Sequence, residues 1–246
     1  MPQAAVGAEI DNVKALVFDV FGTVVDWRSS VIKAGEQLTK ETGIAVDWPT
    51  FAEEWRRVGY VEQIAKIRRG EAPYQTTDEF MLDKLAEMLP RYGLSSLSET
   101  QTDWLHKVWH RLDPWADSVE GLTRLKKKFV IATLSNGNVA LLTNMGKYGG
   151  LPWDAILSAE LVQKFKPEPE MYQSAGRFLG LPMTQVMMTA AHLRDLYAAR
   201  THGMRTGFVR RDAEWGPNGK IEGEPDRERI DVAAGSFTEL ADQLGA

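Results

Sequence analysis

The chain contains no cysteine among its 246 residues. This absence excludes disulfide bonds, thiolate chemistry and cysteine-ligated metal sites. A basic block is also missing: 29 Lys and Arg stand against 34 Asp and Glu, which gives a formal net charge of −5. Such a chain is a poor partner for nucleic acid or for an anionic membrane surface. An anionic ligand would have to be attracted by a local group of positive charges.

Long hydrophobic runs are absent as well. No apolar stretch approaches the roughly 18 residues that a membrane-spanning helix needs. Residues 1–12 lack the charged and apolar segments of a signal peptide. We therefore predict a cytoplasmic protein without a membrane partner. What is present is a hydrophobic fraction of 43%, which can form a sizeable core in one large domain or in a core with an insertion.

Residues 13–27, VKALVFDVFGTVVDW, carry the clearest chemical signature. An apolar run that is partly β-branched or aromatic and ends in Asp19 predicts a buried parallel strand with a carboxylate at its C-terminal end. Open α/β sheets place their chemistry at that end of their strands. Asp19 is therefore a candidate catalytic residue. Capping of the following turn is an equal alternative for this residue taken alone.

After residue 27 the pattern changes from strand-like to helical. Apolar residues at helical spacing predict four helices. They cover residues 29–42, a segment capped by Thr50, residues 77–89 and residues 98–112. Together they predict a small helical bundle inserted between the first and second strands.

The strand pattern resumes after residue 114. Further strands are predicted at residues 129–134, 155–157, 186–189, 206–209 and 232–234, with helices such as 170–179 and 193–201 between them. This alternation predicts a parallel, doubly wound sheet with right-handed crossovers. Residues 210–229 are rich in Gly, Pro and charge, and we interpret them as a surface loop.

Candidate polar groups follow successive predicted strands in a fixed order: Asp19, Ser135-Asn136, Lys166 and Asp195. Each group alone has an ordinary explanation as a turn, a surface lysine or a helix cap. As a set, and with FDVFGTVVD around Asp19, they resemble the motifs of the haloacid dehalogenase superfamily. The resemblance implies a Rossmann-like α/β core and an inserted helical cap domain. The core would comprise residues 1–27 and 113–246, and the cap residues 28–112.

The position two residues after Asp19 narrows the resemblance. Phosphatases of this superfamily carry a second Asp there, which protonates an alkoxide leaving group, whereas this chain has Phe21. A phenyl ring cannot donate that proton, and a halide leaving group needs none. The chain thus resembles 2-haloacid dehalogenases, which implies hydrolysis of short 2-haloalkanoic acids to 2-hydroxy acids through a covalent ester at Asp19. Phe21 is also a candidate wall of the substrate pocket.

The resemblance implies roles for the other matched residues. Ser135, Asn136 and nearby amides would bind the carboxylate of a small halogenated acid. Lys166 would keep Asp19 ionised through its positive charge. Tyr172 matches a family tyrosine that supports the site, with a packing role as the alternative.

The departing halide needs a cation or polar donors. The family places an arginine for this purpose in the cap, shortly after a tryptophan, and Trp55-Arg56-Arg57 matches that pattern. We carry the role to Arg56, with Arg57 as the fallback, because only one of two adjacent helical residues can face the site squarely. A surface position for both arginines is the alternative.

The fourth motif departs from the pattern of L-2-haloacid dehalogenases, which has a serine and an asparagine ahead of its acid. Ala190 and His192 stand at those positions, before Asp195. Imidazole titrates near neutrality, so His192 is a candidate general base for the hydrolytic water, with Asp195 to orient or charge it. The alternative is a hydrogen-bonded histidine that only shapes the pocket.

We expect no required metal or other cofactor, because coordination to a cation would weaken Asp19 as a carbon nucleophile. His106 and His110 lie four residues apart, but no third ligand is visible, so a zinc site is not predicted. Two rival functions stay open: a phosphatase of the same superfamily acting on a small phosphate ester, and a non-catalytic ligand-binding protein with this fold. The resemblance also implies a homodimer formed through the apolar cap.

Overall fold

The computed structural model describes residues 10–246 and has a six-stranded parallel sheet in that part of the chain. The strands are β1 (Ala15–Phe18), β2 (Val130–Ser135), β3 (Ala155–Ser158), β4 (Val186–Ala190), β5 (Arg205–Val209) and β6 (Val232–Ala234). The five later strands are confirmed, with bounds that differ from the predicted ones by no more than one residue. The predicted absence of a signal peptide, and the start of the predicted core domain, involve residues 1–9, which lie outside the described residues.

The order of the sheet is β3-β2-β1-β4-β5-β6, so the direction in which strands are added reverses at β1. The register pairs Phe18 with Thr133 of β2 and with Thr189 of β4. The carboxyl ends of these three strands therefore lie side by side. This reversal point is where open α/β sheets form a crevice for ligands.

Helices connect the strands and pack on the sheet, as in a doubly wound α/β fold. They are α1 (Trp27–Thr42), α2 (Trp48–Glu54), α3 (Gln63–Arg68), α4 (Thr77–Arg91), α5 (Glu99–His106), α6 (Ser118–Lys126), α7 (Val139–Gly149), α8 (Pro169–Leu179), α9 (Leu193–Thr201) and α10 (Phe237–Gln243). Short 3₁₀ turns lie at Lys107–Arg111, Ala159–Leu161 and Met183–Gln185, and a π-helical segment covers Trp55–Glu62. None of the helices within residues 10–246 has the length and apolar character to cross a membrane.

The inserted helical bundle is confirmed, because α1 to α5 all lie between β1 and β2. Two details of the prediction were wrong. The cap of the second helix is Asp47, whose carboxylate accepts from the backbone N–H of Thr50 at 3.2 Å, so the helix begins at Trp48. The predicted helix over residues 98–112 changes at Lys107 into a 3₁₀ turn.

The π-helical segment brings the cap toward the sheet. It continues α2 into α3 and buries Arg56 and Tyr60, which are 6% and 7% exposed. Arg57, the adjacent residue, keeps a side chain that is 64% exposed. Such wide helical turns are frequent at functional sites.

Aromatic side chains join the cap to the strand end that precedes the insertion. The ring of Phe21 lies edge-on to Tyr60 at 5.4 Å and to Trp109 at 6.1 Å, and Trp27 stacks on Trp109 at 6.4 Å. Trp55 packs on Trp109 at 5.3 Å. These contacts bury large apolar areas and add favourable edge-to-face geometry, so the aromatic cluster fixes the cap over the sheet.

The interpretation of residues 210–229 as a surface loop was only partly right. Most of the segment is exposed, but Glu214 is 4% exposed. The neighbouring Trp215 is half-buried and packs edge-on against Trp27 at 5.1 Å. Composition reports the average of a segment, and here it concealed one turn that folds back over the end of β1.

Candidate active site

Asp19 stands at the carboxyl end of β1 and is 8% exposed. Its backbone N–H donates to the carbonyl of Thr189 on β4 at 3.0 Å. Its Oδ2 accepts from the hydroxyl of Thr23 at 2.8 Å, and that hydroxyl accepts from the backbone N–H of Ala191 at 2.9 Å. The ends of two neighbouring strands thus fix the orientation of this carboxylate.

Lys166 lies between two carboxylates. Its Nζ donates to Asp19 Oδ1 at 2.9 Å and forms an ion pair with Asp195 Oδ2. The hydroxyl of Tyr172 donates to the other oxygen of Asp195 at 2.6 Å, and Asn136 Oδ1 accepts from the backbone N–H of Lys166 at 2.8 Å. Four residues that the sequence analysis selected are therefore brought into contact with Asp19 or its partners.

This arrangement holds Asp19 ionised. Burial alone would raise the pKa of Asp19, but the charge of Lys166 and the hydrogen bond from His192 hold that pKa well below its usual range. Burial alone would lower the pKa of Lys166, yet the two carboxylates raise it above its usual value. Burial and the charge of Asp195 raise the pKa of Tyr172, so its hydroxyl stays protonated and donates.

His192 bridges two carboxylates. Its Nδ1 lies 3.0 Å from Asp19 Oδ2 and its Nε2 lies 2.9 Å from Glu214 Oε2. Burial disfavours the imidazolium, but hydrogen bonds to Asp19 and Glu214 raise the pKa of His192 to about 10. The expectation that Asp195 orients His192 was wrong. His192 precedes α9 with extended backbone angles, so its side chain leaves in another direction from that of Asp195 in the first helical turn.

Glu214 is a site residue that sequence reasoning missed. Its Oε1 accepts from the indole N–H of Trp27 at 3.1 Å. It lies directly on Gly22, where an added Cβ would be 2.1 Å from Oε1. Gly22 has φ of 83°, so the turn after Asp19 needs glycine both for its backbone and for this close approach. Nothing in the local sequence distinguishes Glu214 from the exposed acids around it.

Arg56 faces the cavity from the cap. Its guanidinium lies 4.0 Å from the ring centre of Tyr60 and 5.4 Å from that of Phe21. Its Nε and Nη1 are buried and have no hydrogen-bond partner among the described residues 10–246. Arg57 instead pairs with Glu62 at 2.7 Å on the exposed side. Phe21 is 1% exposed and packs against Arg56 and Tyr60, which line the cavity, and its place in the pocket wall stays a prediction.

The turn after β2 contributes unequally. Asn136 lines the cavity, whereas Ser135 is fully buried and does not. The hydroxyl oxygen of Ser135 accepts from the backbone N–H of Gly137 at 3.2 Å. Ser135 therefore shapes the turn that presents Asn136.

These groups surround one cavity of about 360 Å³. Polar and charged groups form its inner end, namely Asp19, Arg56, Asn136, Lys166, His192, Asp195 and Glu214, and the rest of its lining includes Val61, Ile64, Ala65, Arg68, Arg194 and Trp215. A buried anionic nucleophile, further cations at Arg68 and Arg194, and apolar side chains in the same lining suit a small organic anion with an electrophilic carbon.

No group of three or more His, Asp or Glu side chains within residues 10–246 is arranged to hold a metal ion. His106 and His110 both turn toward Asp78: His106 Nε2 lies 3.0 Å from its carbonyl oxygen, and His110 Nε2 lies 2.8 Å from its Oδ1. The cation between Asp19 and Asp195 is the ammonium of Lys166.

Known proteins resemble this chain in sequence and in structure. A family model described as haloacid dehalogenase-like hydrolase matches residues 13–203. The (S)-2-haloacid dehalogenase 4A of Burkholderia cepacia is 28% identical over 205 residues, which are 82% of this chain and 85% of that protein. The solved structure of the L-2-haloacid dehalogenase PA0810 is 38% identical, with a TM-score of 0.88, over 94% of this chain and 99% of that one. The defluorinating L-2-haloacid dehalogenase Rha0230 is 38% identical, with a TM-score of 0.90, over 95% and 96%.

Proposed function

The chain belongs to the haloacid dehalogenase-like hydrolases, and from this membership we propose that it hydrolyses short 2-haloalkanoic acids to 2-hydroxy acids. The observation that carries the proposal is the buried carboxylate of Asp19, which faces a cationic cavity with Phe21, and no acid, two residues later. A carboxylate can displace halide from carbon without a proton donor for the leaving group. The similar proteins named as 2-haloacid dehalogenases support the same reaction.

In the first half-reaction, a carboxylate oxygen of Asp19 attacks the carbon that bears the halogen. The new carbon–oxygen bond forms as the carbon–halogen bond breaks, and the halide leaves with the electron pair. Attack from the back of the carbon inverts its configuration. Lys166, at 2.9 Å from Asp19 Oδ1, supplies the charge that keeps the nucleophile ionised at neutral pH.

Two groups of donors would hold the anionic parts of the substrate. We assign the carboxylate to Asn136 and to amides of the turn after β2, which Ser135 shapes. We assign the halide to Arg56, because its unpartnered Nε and Nη1 are buried at the cavity and a buried guanidinium without an acceptor is costly.

In the second half-reaction, water attacks the carboxyl carbon of Asp19 and releases the 2-hydroxy acid. His192 Nδ1 lies next to this carboxylate and would accept the proton of that water. The carbon that was inverted is not touched in this step, so the product keeps the inverted configuration.

We further propose that residues 28–112 form the cap domain and that residues 1–27 and 113–246 form the core. The chain passes from the core to the cap and back again, and the two connecting segments run side by side at this boundary. The backbone N–H of Asp26 donates to the carbonyl of Asp113 at 2.9 Å, and that of Trp115 donates to the carbonyl of Val24 at 3.1 Å.

The test is halide release from chloroacetate and L-2-chloropropionate in the presence of EDTA, with wild type and Asp19→Asn. We expect release by the wild type and none by the variant, because the amide is not a nucleophile at carbon. Fluoroacetate belongs in the panel, because one of the similar structures is a defluorinating enzyme. Equal release by both proteins would contradict the assignment of Asp19 as the nucleophile. Turnover of phosphate esters with added magnesium, and none of haloacids, would favour the phosphatase.

A further inference from the structure

Glu214 is held as a rigid carboxylate at the inner end of the cavity. It is 4% exposed, its Oε1 accepts from the indole of Trp27 at 3.1 Å, and its Oε2 lies 2.9 Å from His192 Nε2. The bare Cα of Gly22 leaves room for the carboxylate in this position. Burying a carboxylate without a cationic partner is costly, so this position requires a partner such as His192.

The contact decides which nitrogen of His192 keeps its proton. An ionised carboxylate can only accept hydrogen bonds, so Nε2 must carry a proton as long as it faces Glu214. The other nitrogen, Nδ1, faces the second carboxylate, Asp19, at 3.0 Å. While both acids are ionised, both nitrogens donate, and His192 is a cation in the resting enzyme.

Formation of the ester changes this balance. Esterified Asp19 carries no negative charge, whereas Lys166 and Arg56, which line the same cavity as His192, keep their positive charges. The proton on Nδ1 loses its anionic acceptor, and the proton on Nε2 keeps Glu214. The neutral tautomer that results has its lone pair on Nδ1, on the side of the ester.

We propose that Glu214 is a positioning residue that makes His192 a general base only after the ester at Asp19 has formed. This inference rests on the proposed function. Glu214 hydrogen-bonds to His192 and Trp27 and not to Asp19; it acts by holding the proton on Nε2 and by orienting the ring.

The protons of the hydrolytic step balance. After esterification, Nδ1 releases its proton to solvent. Water then attacks the carboxyl carbon of Asp19, and one of its protons passes to Nδ1 as the new carbon–oxygen bond forms. The bond to the alkyl oxygen breaks, and the second proton of the water goes to that oxygen to give the 2-hydroxy acid. Asp19 is again a carboxylate and His192 again a cation, and each turnover yields one halide and one proton.

The experiment is rapid mixing of Glu214→Gln with chloroacetate, followed by halide detection and intact-protein mass spectrometry. We expect a burst of one halide per active site and then a steady state slower than wild type by roughly 10²-fold or more, the usual contribution of a general base. In the burst phase, the protein should gain the mass of one carboxymethyl group at Asp19. His192→Gln should accumulate the same ester.

A control in the same segment separates this role from a general effect of lost charge. Glu222 accepts from the backbone N–H of Leu193 at 3.0 Å, whereas the ring nitrogens of His192 face Asp19 and Glu214, so Glu222→Gln should turn over like wild type. The pH dependence gives a second readout. Without the carboxylate, His192 holds its proton less tightly, so the alkaline rise in the rate of ester hydrolysis should shift to lower pH in Glu214→Gln.

Other outcomes would overturn the inference. Wild-type turnover by Glu214→Gln would do so, as would a folded Glu214→Gln protein without a halide burst, since Glu214 would then act before the ester forms. A slower rate with an unshifted pH profile would leave Glu214 a merely structural role. A wild type that releases no halide from any haloacid would overturn the proposed function together with this inference.

Discussion

Opposite charges are closely matched at the inner end of the cavity. Three carboxylates, Asp19, Asp195 and Glu214, are accompanied by Lys166, His192 and Arg56. Lys166 and His192 hydrogen-bond directly to carboxylates, whereas two buried nitrogens of Arg56 find no acceptor within the described chain. Buried donors of this kind are rare in folded proteins unless a ligand satisfies them. The cap therefore presents to the inner end of the cavity a guanidinium with two donors that await an acceptor.

Replacement of Arg56 tests this reading at the scale of one residue. Arg56→Met keeps much of the side-chain length and removes the donors, and we expect kcat for chloroacetate to fall by about 10²-fold or more, the effect of losing a donor to a developing anion. Steady-state halide release measures it. Arg57→Met is the matched control, because Arg57 is exposed and pairs with Glu62 away from the cavity. Equal losses in the two variants would contradict the assignment.

At the scale of elements, the first turn of α4 joins the cap to the turn after β2. A capping box of Thr76 and Glu79 starts the helix. The hydroxyl of Thr77 then donates to the carbonyl of Asn136 at 2.8 Å, and Asp78 Oδ2 accepts from the side-chain amide of Asn138 at 2.9 Å. One helix end thus holds the turn that presents Asn136 to the cavity.

Asp78 is the residue on which this junction depends. Asp78→Ala would leave His110 and Asn138 without their shared acceptor, so we expect the free energy of unfolding to fall by about 1–3 kcal/mol. Urea unfolding measures it. Asp83→Ala on the same helix is the control, because Asp83 is exposed and should change stability by no more than about 0.5 kcal/mol. A loss as large in the control would argue against a specific junction.

At the scale of the whole molecule, the bridging position of His192 links folding to pH. Its pKa is about 10 in the folded protein, against an ordinary value of 6.5. The folded state thus binds this proton more tightly than the unfolded chain does. The resulting stabilisation is complete below about pH 6.5 and is lost as the pH rises toward 10.

Calorimetry between pH 6.5 and pH 10 tests this linkage with His192→Asn, which cannot titrate in that window. We expect the Tm of the wild type to exceed that of the variant most at pH 6.5, and the difference to shrink as the pH approaches 10. A difference that stays constant across this range would show that His192 is not charged in the folded protein.

The homodimer implied by the family resemblance stays a prediction, which the mass of the protein in solution would test.

Much of the fold follows from local sequence. The spacing of apolar residues predicts strands and helices, because each kind of element buries one face and so repeats its apolar residues at its own period. The order of the sheet motifs also has local signals, since Asp19 and Asn136 directly follow apolar strands and Asp195 comes a few residues after another. Parallel strands end at one edge, so Asp19, Asn136 and Asp195 could be expected to lie near one another before any contact was seen.

Tertiary structure alone decided the rest. Only the packed chain brings Glu214 to His192 across 22 residues of sequence, sets Asp195 on Lys166 and not on His192, and places Ser135 behind Asn136. The physical reason is that these contacts depend on the path of a loop and on the directions of side chains after helices and strands have packed. Periodicity shows which residues are buried. The partner of a buried charge depends on how segments far apart in the sequence pack against one another, which periodicity does not show.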